Sequence, residues 1–182
     1  MKLSTIATAL TAALAAAAVA PAMAADGKVT INGEITATTC DINAGGTGSP
    51  NQTVTLPTVS TTALNAAGKT AGEKEFHFDL SGSTCAGTAK MHFESATSPV
   101  DLATSNLDNQ ATNNPAKYVQ VSILNADGSK VALADSSNSQ SVTIDPTTNT
   151  ARMSYFARYE AVGQAAEQGM VSTFFDYSID YN

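Results

Sequence analysis

The sequence predicts an all-β fold, a sandwich or a barrel, on three observations. Val, Ile, Thr, Tyr and Phe gather in short runs that alternate apolar with polar residues, the period of a pleated strand. Gly, Asn, Asp, Ser and Pro separate these runs at short intervals. The Ala-rich stretch 62–71 has too thin an apolar face for more than a short helical turn.

Residues 1–24 come first and read as a targeting segment. Lys2 supplies the positive start, residues 3–19 are uncharged and rich in Ala, Leu and Thr, and Ala22-Met23-Ala24 is a small-x-small cleavage pattern. The rival reading, a membrane-spanning anchor, fits the length of the uncharged stretch but not its Ala/Thr composition or its cleavage signature. Cleavage after Ala24 leaves 158 residues, a length that suits one domain. Strands are then expected at 28–39, 53–59, 74–81, 89–96, 118–124, 130–134, 141–145, 152–161 and 170–181. Asn125-Ala126-Asp127-Gly128 joins two of them as a hairpin, because Asp-Gly supplies the positive φ that a tight turn needs. Residues 43–52 and 104–115 lack periodicity and are rich in Gly, Asn, Ser and Pro, so they read as loops.

Charge and cysteines narrow the function classes. The whole chain carries −7, and losing Lys2 with the leader makes it −8. An acidic chain with no basic cluster is a poor partner for nucleic acid or anionic membrane. Cys40 and Cys85 lie 45 positions apart. An exported chain meets oxidising conditions, where two cysteines pair by default.

The two ends of the mature chain carry the most information. In residues 170–181, Val171, Thr173, Phe175, Tyr177, Ile179 and Tyr181 fall on one face, mostly apolar or aromatic. Such a strand is expected to bury that face, yet with Asn182 last no later strand covers its next edge, a hazard that natural sheets manage. At the other end Val29, Ile31, Gly33 and Ile35 share one face of a strand that follows a short polar leader. This strand can pair within its own domain or cover another subunit's edge, and periodicity does not separate the two cases.

The run from Lys28 to Ile35, followed by Cys40, resembles the donor-strand extension of chaperone–usher fimbrial pilins, the type 1 fimbrial family. The C-terminal end is similar to that family's assembly motif, with a penultimate aromatic, Tyr181, and a glycine fourteenth from the end, Gly169. Residues 157–163 resemble the segment before the last strand of major pilins, and the cysteine pair falls where the family's single disulfide lies. The resemblance implies an incomplete immunoglobulin-like β-sandwich that lacks its last strand and is completed by donor-strand exchange. It implies three parts: a signal peptide at 1–24, an N-terminal donor-strand extension at 25–38 and a pilin domain at 39–182. Val29, Ile31, Gly33 and Ile35 would be the donor residues. Gly169, Val171, Thr173, Phe175, Tyr177, Ile179 and Tyr181 would form the acceptor groove. The implied partners are identical or homologous pilin subunits in a head-to-tail polymer, a periplasmic chaperone and an outer-membrane usher. The destination is a cell-surface fimbrium that supports adhesion.

Other readings have less to stand on. His77 and His92 are isolated in alternating strands beside acidic or basic neighbours, which fits exposed strand faces better than a metal site. HExxH, GxSxG, P-loop and paired-carboxylate signatures are missing from the sequence, so neither catalysis nor a cofactor is expected. A minor or adaptor pilin is the alternative within the same system. A monomeric exported β-sandwich that binds carbohydrate is the alternative from a different class.

Overall fold

The computed structural model describes residues 39–182. The leader, the extension 25–38 and the donor residues Val29, Ile31, Gly33 and Ile35 lie outside the described residues.

Nine strands follow Cys40. They are β1 (Asp41–Ala44), β2 (Thr70–Ser81), β3 (Thr88–Phe93), β4 (Val100–Asp101), β5 (Asn106–Asp108), β6 (Val119–Asn125), β7 (Ser141–Thr143), β8 (Ala151–Ala161) and β9 (Tyr177–Tyr181). A single 3₁₀ turn, Thr61–Leu64, sits between β1 and β2, with the Ser60 side chain accepting from the Thr62 amide. One sheet runs β1-β2-β8-β6-β5-β4 and the other β7-β3-β9, and every strand pair is antiparallel.

Alternation places the core between the sheets. β2 turns Phe76, Phe78 and Leu80 inward, β8 turns Met153, Tyr155 and Ala157 inward, and β3 turns Ala89, Met91 and Phe93 inward. Tyr155 lies at the centre, stacked on Phe76 at 5.8 Å and edge-on to Phe93 of the facing sheet at 5.6 Å. Burial raises the pKa of its phenol, and the hydroxyl meets that of Ser139 at 3.2 Å. Each large side chain buried in this layer stabilises the fold by about 1.5–3 kcal/mol.

β6 is buried along its whole length, so its polar residues need partners inside the protein. The Gln120 amide donates to Asp101 at 2.9 Å and Asp108 at 2.8 Å, while its oxygen accepts from Thr104 and Asn106. The hydrogen bond from Gln120 is the main reason the Asp101 carboxyl is held below its usual range. This cluster fastens the short β4–β5 ribbon to β6.

The expected hairpin is present. Gly128 takes φ +81° and its amide donates to Asn125, closing the turn. The return segment makes only an isolated bridge, Leu124 to Lys130, and then sends Val131 and Leu133 into the core, so the strand expected at 130–134 is replaced by irregular chain. Residues 53–59 are extended but join no ladder. Of residues 170–181 only Tyr177–Tyr181 is laddered, because the neighbour of the earlier part is irregular chain that makes scattered backbone and side-chain bonds. β1 and β5 occupy parts of the two expected loops, and β4 was not expected. All three are too short to show a period of two.

Two features fix the chain around the C-terminal segment. Cys40 is bonded to Cys85, joining the start of β1 to the turn before β3. Met170 exchanges backbone bonds with the 114–116 segment, and a Cβ built on Gly169 (φ +156°) would stand 2.3 Å from the Ala116 nitrogen. Only a residue without a Cβ allows that crossing.

Two outcomes are expected. Replacing both Cys40 and Cys85 by Ser should lower the unfolding free energy by about 4 kcal/mol, the loop-entropy value for a closure of this length, measured by urea unfolding of the mature chain. Gly169→Ala should cost about 2–3 kcal/mol in the same assay, because backbone and not a flexible side chain meets the added methyl. An unchanged midpoint would show that the crossing tolerates a side chain.

Candidate functional site

The site is built from two extended segments that have too few backbone partners. One is the C-terminal stretch from Met170 into β9. Thr88 and Asn182 exchange both backbone bonds, at 2.7 and 2.9 Å. In an antiparallel ladder consecutive residues turn their N–H and C=O groups to opposite sides. Even-numbered residues of this strand therefore face β3, and odd-numbered residues face away from it. The same alternation holds upstream. Asp176 bonds Glu94 and Ser98, and Ser172 bonds Asn109 and Gln110. Among the described residues the backbone groups of Val171, Thr173 and Phe175 make no hydrogen bond, and at Phe174 the even-numbered side is unbonded too. The side chains of these odd-numbered residues turn toward the core, half-buried, while the even-numbered ones are exposed.

The second segment is residues 53–59, whose backbone also makes no hydrogen bond among the described residues. Val54 and Leu56 turn toward the main core and Val59 toward a smaller cluster of Leu64, Val119, Ala161 and Ala166. Pro57 removes one donor from this rim.

Between the two rims lies a groove of about 890 Å³. Its floor is apolar: Phe76 and Phe78 of β2, Val121 and Ile123 of β6, and Ala157 and Tyr159 of β8. Phe175 packs on this floor, 6.0 Å from Phe76 and 5.1 Å from Phe93, and Tyr177 rests 4.8 Å from Phe78. Burial raises the pKa values of Tyr159 and Tyr177, so both phenols stay neutral at physiological pH. Burial also raises Tyr181, with the Cys40 backbone amide offsetting part of the effect. The Thr173 hydroxyl is buried without a partner among the described residues.

An apolar trough between two unpaired strand edges suits one kind of ligand, an extended chain. Its backbone would bond both rims and its alternate side chains would fill the floor. Of the residues marked out in the sequence, Gly169, Val171, Thr173, Phe175 and Tyr177 line the groove. Ile179 and Tyr181 sit farther along the strand, in the part laddered to β3. The rim at 53–59 was legible only as a strand, with nothing in its residues to mark it as half of a site. The histidines stay apart from the groove lining. His77 lies 3.7 Å from Asp79, which Arg152 holds bidentately at 2.6 and 3.0 Å, and His92 lies 4.0 Å from Glu94.

Comparison with known proteins agrees with this geometry. Residues 56–182 match the family described as Type-1 fimbrial protein, A. The chain is 38% identical to the major fimbrial subunit SMF-1 of Stenotrophomonas maltophilia over 173 residues, covering 92% of this chain and 99% of that protein. It is 37% identical to the F17 fimbrial protein of Escherichia coli over 174 residues, covering 92% and 94%. Its fold is similar to a chaperone–usher pilus structure that addresses rod uncoiling, with a TM-score of 0.60, 22% identity and coverage of 87% and 96%. It is also similar to the P pilus rod subunit PapA, with a TM-score of 0.57, 20% identity and coverage of 79% and 99%. An all-β sandwich with an open strand groove, matched along most of its length to fimbrial subunits, belongs to the type-1 fimbrial protein family and is a structural subunit of a fimbria.

Proposed function

We propose that the groove receives residues 29–35 from a neighbouring subunit, so that subunits join head to tail into a fimbria. The observation that carries this reading is the line of backbone groups on both rims that make no hydrogen bond among the described residues. A strand seated there gives each rim the partners it lacks. The lengths agree. From Val171 to Tyr177 the C-terminal rim spans seven residues, and so does the alternating segment from Val29 to Ile35. Both rims belong to the folded domain, whereas residues 25–38 precede it, so one subunit carries a slot and a strand at different places. Such a contact is heterologous and does not close, and repetition makes a filament.

The energies support a contact on which folding itself depends. Burying Val29, Ile31 and Ile35 yields roughly 5–9 kcal/mol, set against the roughly 5–15 kcal/mol that stabilises a whole domain. Gly33 is the one donor position without a Cβ, which on this reading lets the strand lie close to the aromatic floor. An empty groove is then an aggregation hazard before assembly. On this reading a chaperone lends a strand in the periplasm after the leader 1–24 is removed, and an outer-membrane usher oversees the exchange. The subunit acts through assembly and has no catalytic role, and adhesion is a property of the fibre it builds.

Deleting residues 25–36 should leave a domain that still accepts a strand but donates none. Fibres seen by electron microscopy of the producing cells should disappear, while the truncated chain remains detectable in periplasmic extracts. Normal fibres from the truncated chain would sink the proposal. Abundance in sheared fibres then separates a shaft subunit from a minor one.

A further inference from the structure

Each end of the groove is fastened. Near Gly169 the fastening is main chain to main chain, the Ala166 amide donating to the Leu64 carbonyl at 2.9 Å. At the other end it is a side chain. The Tyr177 hydroxyl donates to the Pro50 carbonyl at 2.6 Å. Among the described residues this is the one hydrogen bond between segments 50–59 and 170–182. Tyr177 belongs to one rim and Pro50 leads into the other, so the phenol ring lies across the gap. It is steered there by Phe78 beneath it, at 4.8 Å and tilted 56°.

We propose that Tyr177 is a strap that holds the empty groove partly shut and is released when a strand seats. The proposal rests on the strand-acceptor reading given above. The hydroxyl bond to Pro50 spans the two rims at the level of Tyr177, so on this proposal a chain that enters between them that far displaces it. The seated strand also bonds the outward N–H and C=O of residue 177 itself, which turn toward the gap by the ladder alternation. The strap is weak by construction. It is a single hydrogen bond from a neutral phenol, at the solvent-facing end of the site, and a typical bond of this kind is worth about a factor of five in an equilibrium. That is enough to bring the two rims together without a covalent tie and little enough for an incoming strand to displace. The bond also gives the Pro50 carbonyl a partner while the groove is empty. The strap therefore deepens the groove's role: it makes the vacant site a narrower target, and it opens at the end away from Gly169.

The test uses the mature chain and a fluorophore-labelled synthetic peptide of residues 27–37, with capture followed by anisotropy in stopped flow and at equilibrium. Tyr177→Phe keeps the ring on Phe78 and removes only the hydroxyl. The expected result is peptide binding about fivefold tighter, gained mainly through faster association, with the circular dichroism of the chain unchanged. Equal or weaker binding by Tyr177→Phe overturns the strap and assigns the hydroxyl to fold stability alone, which a lowered melting temperature without a gain in affinity would mark. If the wild-type chain captures no peptide, the strand-acceptor reading fails and takes the strap with it. If Tyr177→Phe does not fold, Tyr177→Leu, which also lacks the hydroxyl, is read by the same criteria.

Discussion

Backbone amides and carbonyls withdrawn from water must find partners, and among the described residues the partners run out along two facing lines. The C-terminal strand is satisfied on its even-numbered side, except at Phe174, by β3 and by groups such as Ser98 and Asn109. Its odd-numbered side faces a trough. The segment at 53–59 faces the same trough without a ladder of its own. Everything distinctive about the molecule follows from that deficit. The apolar floor is continuous with the core, so the open site is an interruption of the core and not a pocket added to a finished surface.

The rest of the fold holds the interruption open. A sheet that could collapse would close the gap by sliding its rims together, and three devices resist this. β1 holds the segment after Cys40 to one edge of the large sheet, and the Cys40–Cys85 bond ties it to the turn before β3 of the small one. Gly169 lets the C-terminal segment lie against Pro115–Ala116 at a distance no other residue permits. Tyr155, packed on Phe76, Phe78 and Phe93, keeps the two sheets apart at aromatic thickness. The walls of the groove are thus set by packing elsewhere, and the Tyr177 strap is the part that moves when a strand seats.

How much of this could be read from the residues depended on segment length. β2, β6, β8 and the C-terminal face have enough residues for a period of two to stand out, and their inward faces were legible. The alternation of Val171 through Tyr181 matches the observed half-burial of every odd-numbered residue there. β1, β4 and β5 have four, two and three residues, too few to display a period, and their pairing is decided by tertiary partners such as Gln120. The groove itself was half legible. Its C-terminal rim carries a motif, whereas the other rim, 53–59, is recognisable only once its missing ladder is seen in three dimensions. Tyr177 was expected as a groove residue, but nothing in the chain shows that its hydroxyl would reach Pro50.

The position of the disulfide has a mechanical consequence. Cys85 lies just ahead of β3, and β3 is the strand laddered to β9. If, as proposed, a neighbour's strand seats on the C-terminal rim and a subunit is pulled through its own leading segment, tension arriving at Cys40 would cross the sulfur bridge into the turn before β3. From there it passes to the C-terminal strand through bonds such as Thr88 to Asn182. Part of the load would then run through β3 and β9, and part through β1 into the six-stranded sheet. A fibre assembled as proposed would divide an axial pull between both sheets of each subunit.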